Sequence, residues 1–247
     1  MNLTDFFAKN PAAALGFSGG VDSAYLLYAA VKNHAKVQPY FVKTPFQPAF
    51  ELEDAKKLCA QLEISLRVIP LDILSVEAVR SNPADRCYHC KAAIFSVLKA
   101  QASVDGYPLI IDGTNASDQV EDRPGMRALK ELSVRSPLRE CGLTKAQVRE
   151  LSRKAGLFTW DKPAYACLAT RVPTGQSLNQ ADLWKIEKAE EYLAAQGFRD
   201  FRIRVFHGAA RIQLKPEQME NALRQREVLT EGIKNYFPIV LLDLEGR

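Results

Sequence analysis

The 247-residue sequence contains no Gly-Lys pair, so it cannot build a Walker loop, which needs Gly-Lys-Ser/Thr around the phosphates of a nucleotide. The dinucleotide fingerprint GxGxxG is missing too. Histidine is scarce: His34, His89 and His207 show no ligand or triad spacing. No nucleophile elbow accompanies them, so hydrolase chemistry has no support. No apolar run approaches the ~20 residues of a membrane span. The start, Met-Asn-Leu-Thr-Asp, lacks a basic leader followed by an apolar core, which makes the cytoplasm the expected location. Charge of one sign is also in short supply. A net charge of +4 suits anionic ligands but is too small to demand nucleic acid. Internal repeats and low-complexity segments are absent.

What is present begins at Leu15, in "LGFSGGVDSAYLL". The apolar run Ala12–Phe17 reads as a buried parallel strand, Ser18-Gly19-Gly20 as a turn, and Ala24–Val31 as apolar at helical spacing. A strand, a glycine turn and a helix gather unpaired backbone N–H groups and the positive end of the helix at one point, which makes an anion site. Ser18 and Ser23 add hydroxyl donors. Asp22 is out of place beside phosphate unless a cation lies between them, and Mg²⁺ is the simplest such cation.

The first 157 residues alternate strand-like and helix-like segments. Val37–Lys43 reads as a strand, Phe50–Leu62 as a helix, Ser65–Pro70 as a strand and Lys91–Ala102 as a helix. Leu109–Ile111 is a short strand, and Thr144 caps a helix over Lys145–Ala155 that Gly156 ends. This rhythm predicts an α/β fold with a doubly wound parallel sheet, its ligand at the carboxyl ends of the strands, where Ser18, Lys43 and Asp112 fall. Residues 158–178 have no clear period, carry Cys167, and read as a functional linker. Residues 179–247 read as a small C-terminal α+β domain. There a helix spans Asn179–Gln196, a hairpin of Arg202–Val205 and Ala210–Leu214 turns at His207-Gly208, a helix covers Glu217–Lys234, and a strand covers Ile239–Leu242.

Five cysteines in a chain with no visible secretory signal suggest a reducing compartment, where paired cysteines serve as ligands or catalysts more often than as disulfides. Cys87 and Cys90 form a Cys-x-x-Cys in "NPADRCYHCK", just before a predicted helix, and Cys167 lies in "KPAYACLATRVPTG". Three thiolates are one short of a closed zinc site. They suit a [4Fe–4S] cluster with one iron open to an exogenous ligand, or else structural or redox thiols. Cys59, beside Leu58 and Leu62, is expected to be buried; Cys141 carries no assignment. Strand alternation puts Arg202 and Arg204 on one face, either to fork onto a phosphate or carboxylate or simply to be solvated. Glu187, Glu190 and Glu191 read as solvent-facing helix residues, with a metal role as the alternative.

The six residues Ser-Gly-Gly-Val-Asp-Ser resemble the pyrophosphatase loop (PP-loop) of the N-type ATP pyrophosphatases. With "NPADRCYHCK", "DGTNASD", "DRPGMRAL", "SPLRECGLTK", "KPAYACLATRVPTG" and "FRIRVFHG" in order from Ser18 to about His207, the chain resembles the LarE family. Those proteins are ATP-dependent sulfur transferases of nickel-pincer nucleotide cofactor biosynthesis. The resemblance implies that ATP adenylylates a carboxylate of pyridinium-3,5-biscarboxylic acid mononucleotide, releasing pyrophosphate, and that sulfur then displaces AMP to give a thiocarboxylate. It implies phosphate binding by Ser18, Gly19, Gly20, Asp22 (with Mg²⁺) and Ser23, and a nucleotide cleft lined by Lys43, Gly113, Thr114 and Asn115. Arg171, Arg202 and Arg204 would bind the substrate, its phosphate falling to Arg202 and Arg204. Two sulfur sources occur in the family. One is a sacrificed cysteine, matching Cys167, that ends as dehydroalanine; the other is a [4Fe–4S] cluster on three cysteines, matching Cys87, Cys90 and Cys167, that carries an extra sulfide. All three cysteines are present, which favours the cluster. The family also forms homo-oligomers.

Three other functions compete. A transfer-RNA thiolase needs a basic surface, and here the charge is low, no zinc-ribbon Cys-x-x-Cys pairs flank the core, and Val21 stands where many such enzymes carry lysine. An ammonia-using synthetase lacks a glutaminase domain in this chain. A zinc-stabilised nucleotide-binding module would hold zinc without sulfide.

Overall fold

The computed structural model of the chain describes residues 1–118 and 124–247. Asp122 and Arg123, which open the "DRPGMRAL" motif, lie outside the described residues. In chain order the first elements are α1 (Leu3–Lys9), β1 (Ala12–Gly16), α2 (Val21–Lys32), β2 (Lys36–Lys43), α3 (Ala49–Gln61) and β3 (Arg67–Pro70). Then come α4 (Glu77–Arg80), α5 (Arg86–Val104), β4 (Ile110–Ile111), α6 (Pro124–Glu131), α7 (Pro137–Glu140) and α8 (Lys145–Lys154). The remainder is α9 (Gln180–Ala195), β5 (Arg202–Phe206), β6 (Ala209–Gln213), α10 (Pro216–Arg224), α11 (Arg226–Lys234) and β7 (Val240–Leu242).

The apolar runs predicted as parallel strands pair as such. β1 lies between β2 and β4, β3 pairs on the far side of β2, and every pairing is parallel. Side chains alternate across the sheet, so each strand feeds two cores. Ala13, Leu15, Val37 and Phe41 pack with Phe6, Leu26, Leu58 and Val148 of the helices on one face. Ala14, Tyr40, Val42 and Ile110 pack with Phe95, Leu98 and Leu129 of α5 and α6 on the other. Helices therefore cover both faces, the doubly wound α/β arrangement expected. Cys59 is buried in the first core, and burial pushes its thiol up to about 12.

The chain divides into two compact units, Met1–Ile73 with Asp85–Lys162, and Leu74–Ala84 with Pro163–Arg247. The excursion of Leu74–Ala84 into the second unit differs from the linear division of the sequence. Two backbone bonds and one side-chain bond hold it there: Leu178 N–H donates to the Arg80 carbonyl (2.7 Å), Gly175 N–H to the Asn82 carbonyl (2.8 Å), and the Asn82 side-chain Nδ2 to the Pro173 carbonyl (2.9 Å). In the second unit β5 and β6 form the expected hairpin, with β7 parallel to β6. The helix predicted over Glu217–Lys234 is instead two helices, α10 and α11, meeting at Gln225. No described helix is long and apolar enough to cross a membrane.

Candidate functional site

The phosphate-loop candidates lie where β1 hands over to α2. Gly19 takes φ +70°, and a Cβ there would sit 3.2 Å from the Glu51 carbonyl and the Ala55 amide of α3. Glycine thus supplies both the left-handed turn and the space. The N-cap of α2 is Gly20, which offers no side chain to the first-turn N–H groups. Those donors are left for a ligand. Ser18 and Ser23 hydroxyls lie 3.2 Å apart, and Ser23 Oγ donates to the Gly20 carbonyl (3.2 Å), so both hydroxyls are held in the loop.

The segment after β4 closes against this loop. A Cβ on Gly113 would come within 2.8 Å of the Ser23 backbone nitrogen, so only glycine allows the approach. Buried Asp112 fixes the segment from within. Its carboxylate accepts from Thr114 N–H (3.2 Å), from the Thr114 hydroxyl and from Ser136 Oγ (2.6 Å). Asn115 Nδ2 donates to Asp22 Oδ1 at 3.3 Å. The second Asp22 oxygen pairs with Lys145 Nζ, a partner that sequence reading did not single out. Lys43 lies at the carboxyl end of β2 as expected, and its ammonium donates to the Gln47 carbonyl within the following turn.

A cavity of about 560 Å³ opens beside these elements. Ser18, Gly20, Asp22, Ser23, Gly113 and Thr114 form one part of its wall. A second part is apolar, from Tyr40, Val42, Ile94, Phe95, Leu98 and Met126. Gly16 lets Phe95 reach the strand, since a Cβ there would meet the ring at 2.9 Å. Polar donors at one end and an aromatic-lined lobe at the other suit a nucleotide. Cys87 and Lys91, one turn apart on α5, also line the cavity. The Cys-x-x-Cys lies inside the first turns of α5 rather than before the helix, because Asp85 takes the N-cap position and the helix begins at Arg86. Cys87 is exposed, Cys90 half-buried, and the Arg86 guanidinium approaches the Cys87 sulfur at 3.9 Å. None of the five cysteines forms a disulfide. Within neither unit do the described residues include three or more His, Cys, Asp or Glu side chains grouped to hold a metal ion.

The remaining candidates belong to the second unit. Half-buried Cys167 precedes a 3-10 turn, Leu168–Arg171, and its carbonyl accepts from Thr170 Oγ1 at 2.8 Å. Arg171 is fully buried and paired with Glu190, its Nε 2.9 Å from Oε1. Glu190 was expected to face solvent. Instead it accepts from Arg171, from Tyr165 OH (2.6 Å) and from Ile203 N–H (3.0 Å), which satisfies a buried carboxylate. Arg202 is also buried; it donates to the Phe201 and Ala164 carbonyls and stacks over Tyr165. Arg204 donates to Gln213 Oε1 (2.6 Å) and the Thr170 carbonyl (2.7 Å). Burial first, then the Arg171 charge, lowers the pKa of both guanidiniums. Arg171 and Arg204 line a cavity of about 470 Å³ together with Arg211 and His207; Arg171 is paired with Glu190 and Arg211 with Asp243 (3.5 Å), so the charge offered to an anion is chiefly that of Arg204.

The family model described as "Queuosine biosynthesis protein QueC" matches residues 12–86, which hold the loop and end one residue before Cys87. An uncharacterized protein of Synechocystis is 36% identical, and one of Methanocaldococcus jannaschii 29%, each alignment covering 99% of this chain and 93% of the relative. A Lactiplantibacillus plantarum protein named pyridinium-3,5-bisthiocarboxylic acid mononucleotide synthase is 30% identical across 94% of this chain and 85% of its own length. Near end-to-end identity at that level, with the loop and its closing segment folded as described, makes this chain a member of the LarE family.

Proposed function

We propose that the protein is an ATP-dependent sulfur transferase that adenylylates a carboxylate of pyridinium-3,5-biscarboxylic acid mononucleotide and replaces a carboxylate oxygen with sulfur. The observation that carries this reading is the cavity in which the phosphate loop and Cys87 share one wall system. A carboxylate is a poor electrophile, so its oxygen first attacks the α-phosphorus of ATP and pyrophosphate leaves. A sulfur nucleophile then attacks the acyl carbon, AMP leaves, and a thiocarboxylate remains. Ser18, Gly19, Gly20 and Ser23 cradle the phosphates, and the apolar lobe takes the base. Asp22 would hold Mg²⁺, whose charge would offset that developing on pyrophosphate. Arg204 supplies the positive charge for the anionic substrate; buried Arg171, paired with Glu190, and Arg202, with its donors on carbonyls, support that surface.

For the sulfur source we favour a [4Fe–4S] cluster on Cys87, Cys90 and Cys167. The donor chemistry fits: Cys87 and Cys90 are three residues apart on α5, so their thiols leave the helix on one side, and thiolate is the ligand of iron–sulfur centres. When bound, the cluster would supply a transferable sulfide at an iron with no protein ligand. Sacrifice of Cys167 is the alternative. Anaerobic reconstitution with iron and sulfide, followed by turnover and intact-mass measurement, tests the choice. Sulfur transfer lost in Cys87→Ala and Cys90→Ala supports the cluster. Full activity in both, with Cys167 converted to dehydroalanine, refutes it.

A further inference from the structure

The tip of the β5–β6 hairpin, in the second unit, carries more side-chain chemistry than its turn requires. Phe206 pairs with Ala209, so the loop between them is His207 and Gly208 alone. Both take positive φ, +49° and +79°, the pattern of a type I′ turn. Asparagine, aspartate and glycine are the residues such a turn favours in its first position. The turn alone does not call for histidine, yet His207 stands there and lines the cavity of about 470 Å³. Its ring meets Phe206 edge-on, with centroids 4.6 Å apart. The Arg211 guanidinium lies over the Phe206 ring at 5.1 Å and is itself paired with Asp243. Phe206 nevertheless stays 41% exposed, an apolar ring left open at the cavity wall. Alternation puts Arg202, Arg204 and Phe206 on one face of β5, with Ile203 and Val205 buried on the other. Exposure rises along that row, from buried Arg202 through half-buried Arg204 to Phe206.

We infer that Phe206 and His207 form the subsite for the ring of the substrate: the flat pyridinium lies against Phe206, and His207 donates a hydrogen bond to a carboxylate on that ring. This rests on the substrate reading above, in which Arg204 takes the phosphate, and adds the residues that select what the phosphate carries. Two residues along a strand cover about 7 Å, the reach of a ribose between a phosphate and a ring. Phe206 is therefore spaced from Arg204 as the ring is spaced from the phosphate. A flat cation is attracted to an aromatic face, and the Arg211 guanidinium already uses this one. The ring also carries carboxylates, which need a donor, and the imidazole N–H of His207 at the rim supplies one. A volume of about 470 Å³ is that of a small-ligand site.

Titration calorimetry of the full chain tests this with two probes, the biscarboxylate mononucleotide and ribose 5-phosphate, which keeps the phosphate and lacks the ring. The unmodified protein should bind the mononucleotide more tightly. Phe206→Leu should weaken the mononucleotide about two- to ten-fold, as for a lost ring contact, and leave ribose 5-phosphate unchanged. His207→Asn keeps a residue suited to the turn, so it should hold or raise the melting temperature while weakening the mononucleotide about ten-fold. Unchanged mononucleotide affinity in either variant would overturn the inference. Equal losses for both probes, or losses that follow a fall in melting temperature, would mean that the hairpin tip only shapes the site, and would overturn it too. If the unmodified protein binds ribose 5-phosphate as tightly as the mononucleotide, there is no ring subsite. If it binds neither, the substrate reading itself fails, whatever the variants do.

Discussion

Replacing Gly113 with alanine separates the catalytic arrangement from the fold that carries it. The added Cβ would lie 2.8 Å from the Ser23 nitrogen, 3.1 Å from its Cα and 3.3 Å from the Asp22 carbonyl carbon. All three are backbone atoms at the start of α2, so no side chain can swing aside. Ordinary contact begins near 3.4 Å, so the closing segment must retreat by roughly 0.6 Å. That segment is tied down by the three bonds to Asp112, by Ala116 to Leu143 and by Lys145 to Ser117, which resist the retreat. Overpacking of this kind costs about 1–3 kcal/mol. The shift also moves Asn115 away from Asp22, and displacements near 1 Å can reduce turnover by about 100-fold. Urea unfolding and pyrophosphate release from ATP are the two assays. The expected outcome is a folded protein with a modest stability loss and kcat/KM reduced about 10- to 100-fold. Gly20→Ala is the contrast: its Cβ would meet only Ser18 Oγ, at 3.4 Å, so stability should hold while ATP affinity falls. Activity and stability of Gly113→Ala both equal to the unmodified protein would refute the reasoning.

Glu190→Ala strands a fully buried Arg171 and should cost about 3–5 kcal/mol in urea unfolding, with much of the loss recovered in Arg171→Met/Glu190→Leu. A loss below 1 kcal/mol for the single variant would contradict the buried-pair argument. Arg204→Ala should raise KM for the mononucleotide about ten- to hundred-fold, with some loss of melting temperature because Gln213 and the Thr170 carbonyl lose their donor. Arg202→Ala should also lower stability, because the Ala164 and Phe201 carbonyls lose their donor. Iodoacetamide at pH 8 should label Cys87 and spare Cys59. The Cys59 thiol is buried and stays protonated until pH nears its raised value of about 12. Mass spectrometry of the digest reads both, and early labelling of Cys59 would refute its placement in the core.

The sheet was legible because its signals are local. Short apolar runs after turn residues became β1, β2 and β4, and Thr144 caps α8 as read, while Asn179, read as the first residue of a helix, caps α9. The phosphate loop was legible for the same reason, its strand, turn and helix being contiguous. What escaped was decided by partners distant in sequence. Leu74–Ala84 joins the second unit through hydrogen bonds to the backbone of residues 173–178, which no periodicity encodes. Glu190 sits among other charged residues of α9 and reads as solvated, yet Arg171, Tyr165 and Ile203 converge on it. Lys145 looked like an ordinary first-turn residue until the fold set it against Asp22. The break between α10 and α11 carries neither glycine nor proline, so no sequence signal marked it. The start of α5 was missed because Arg-Cys-Tyr-His-Cys interrupts the apolar period that begins only at Ala92.

The most direct test of the central claim is an anaerobic reaction of the reconstituted protein with ATP, Mg²⁺ and pyridinium-3,5-biscarboxylic acid mononucleotide, with nucleotide products and the mononucleotide read together by mass spectrometry. The account predicts AMP and pyrophosphate in step with a mononucleotide in which one carboxylate oxygen has become sulfur. ADP and orthophosphate as the direct products, or AMP formed with no sulfur gained by the mononucleotide, would contradict it.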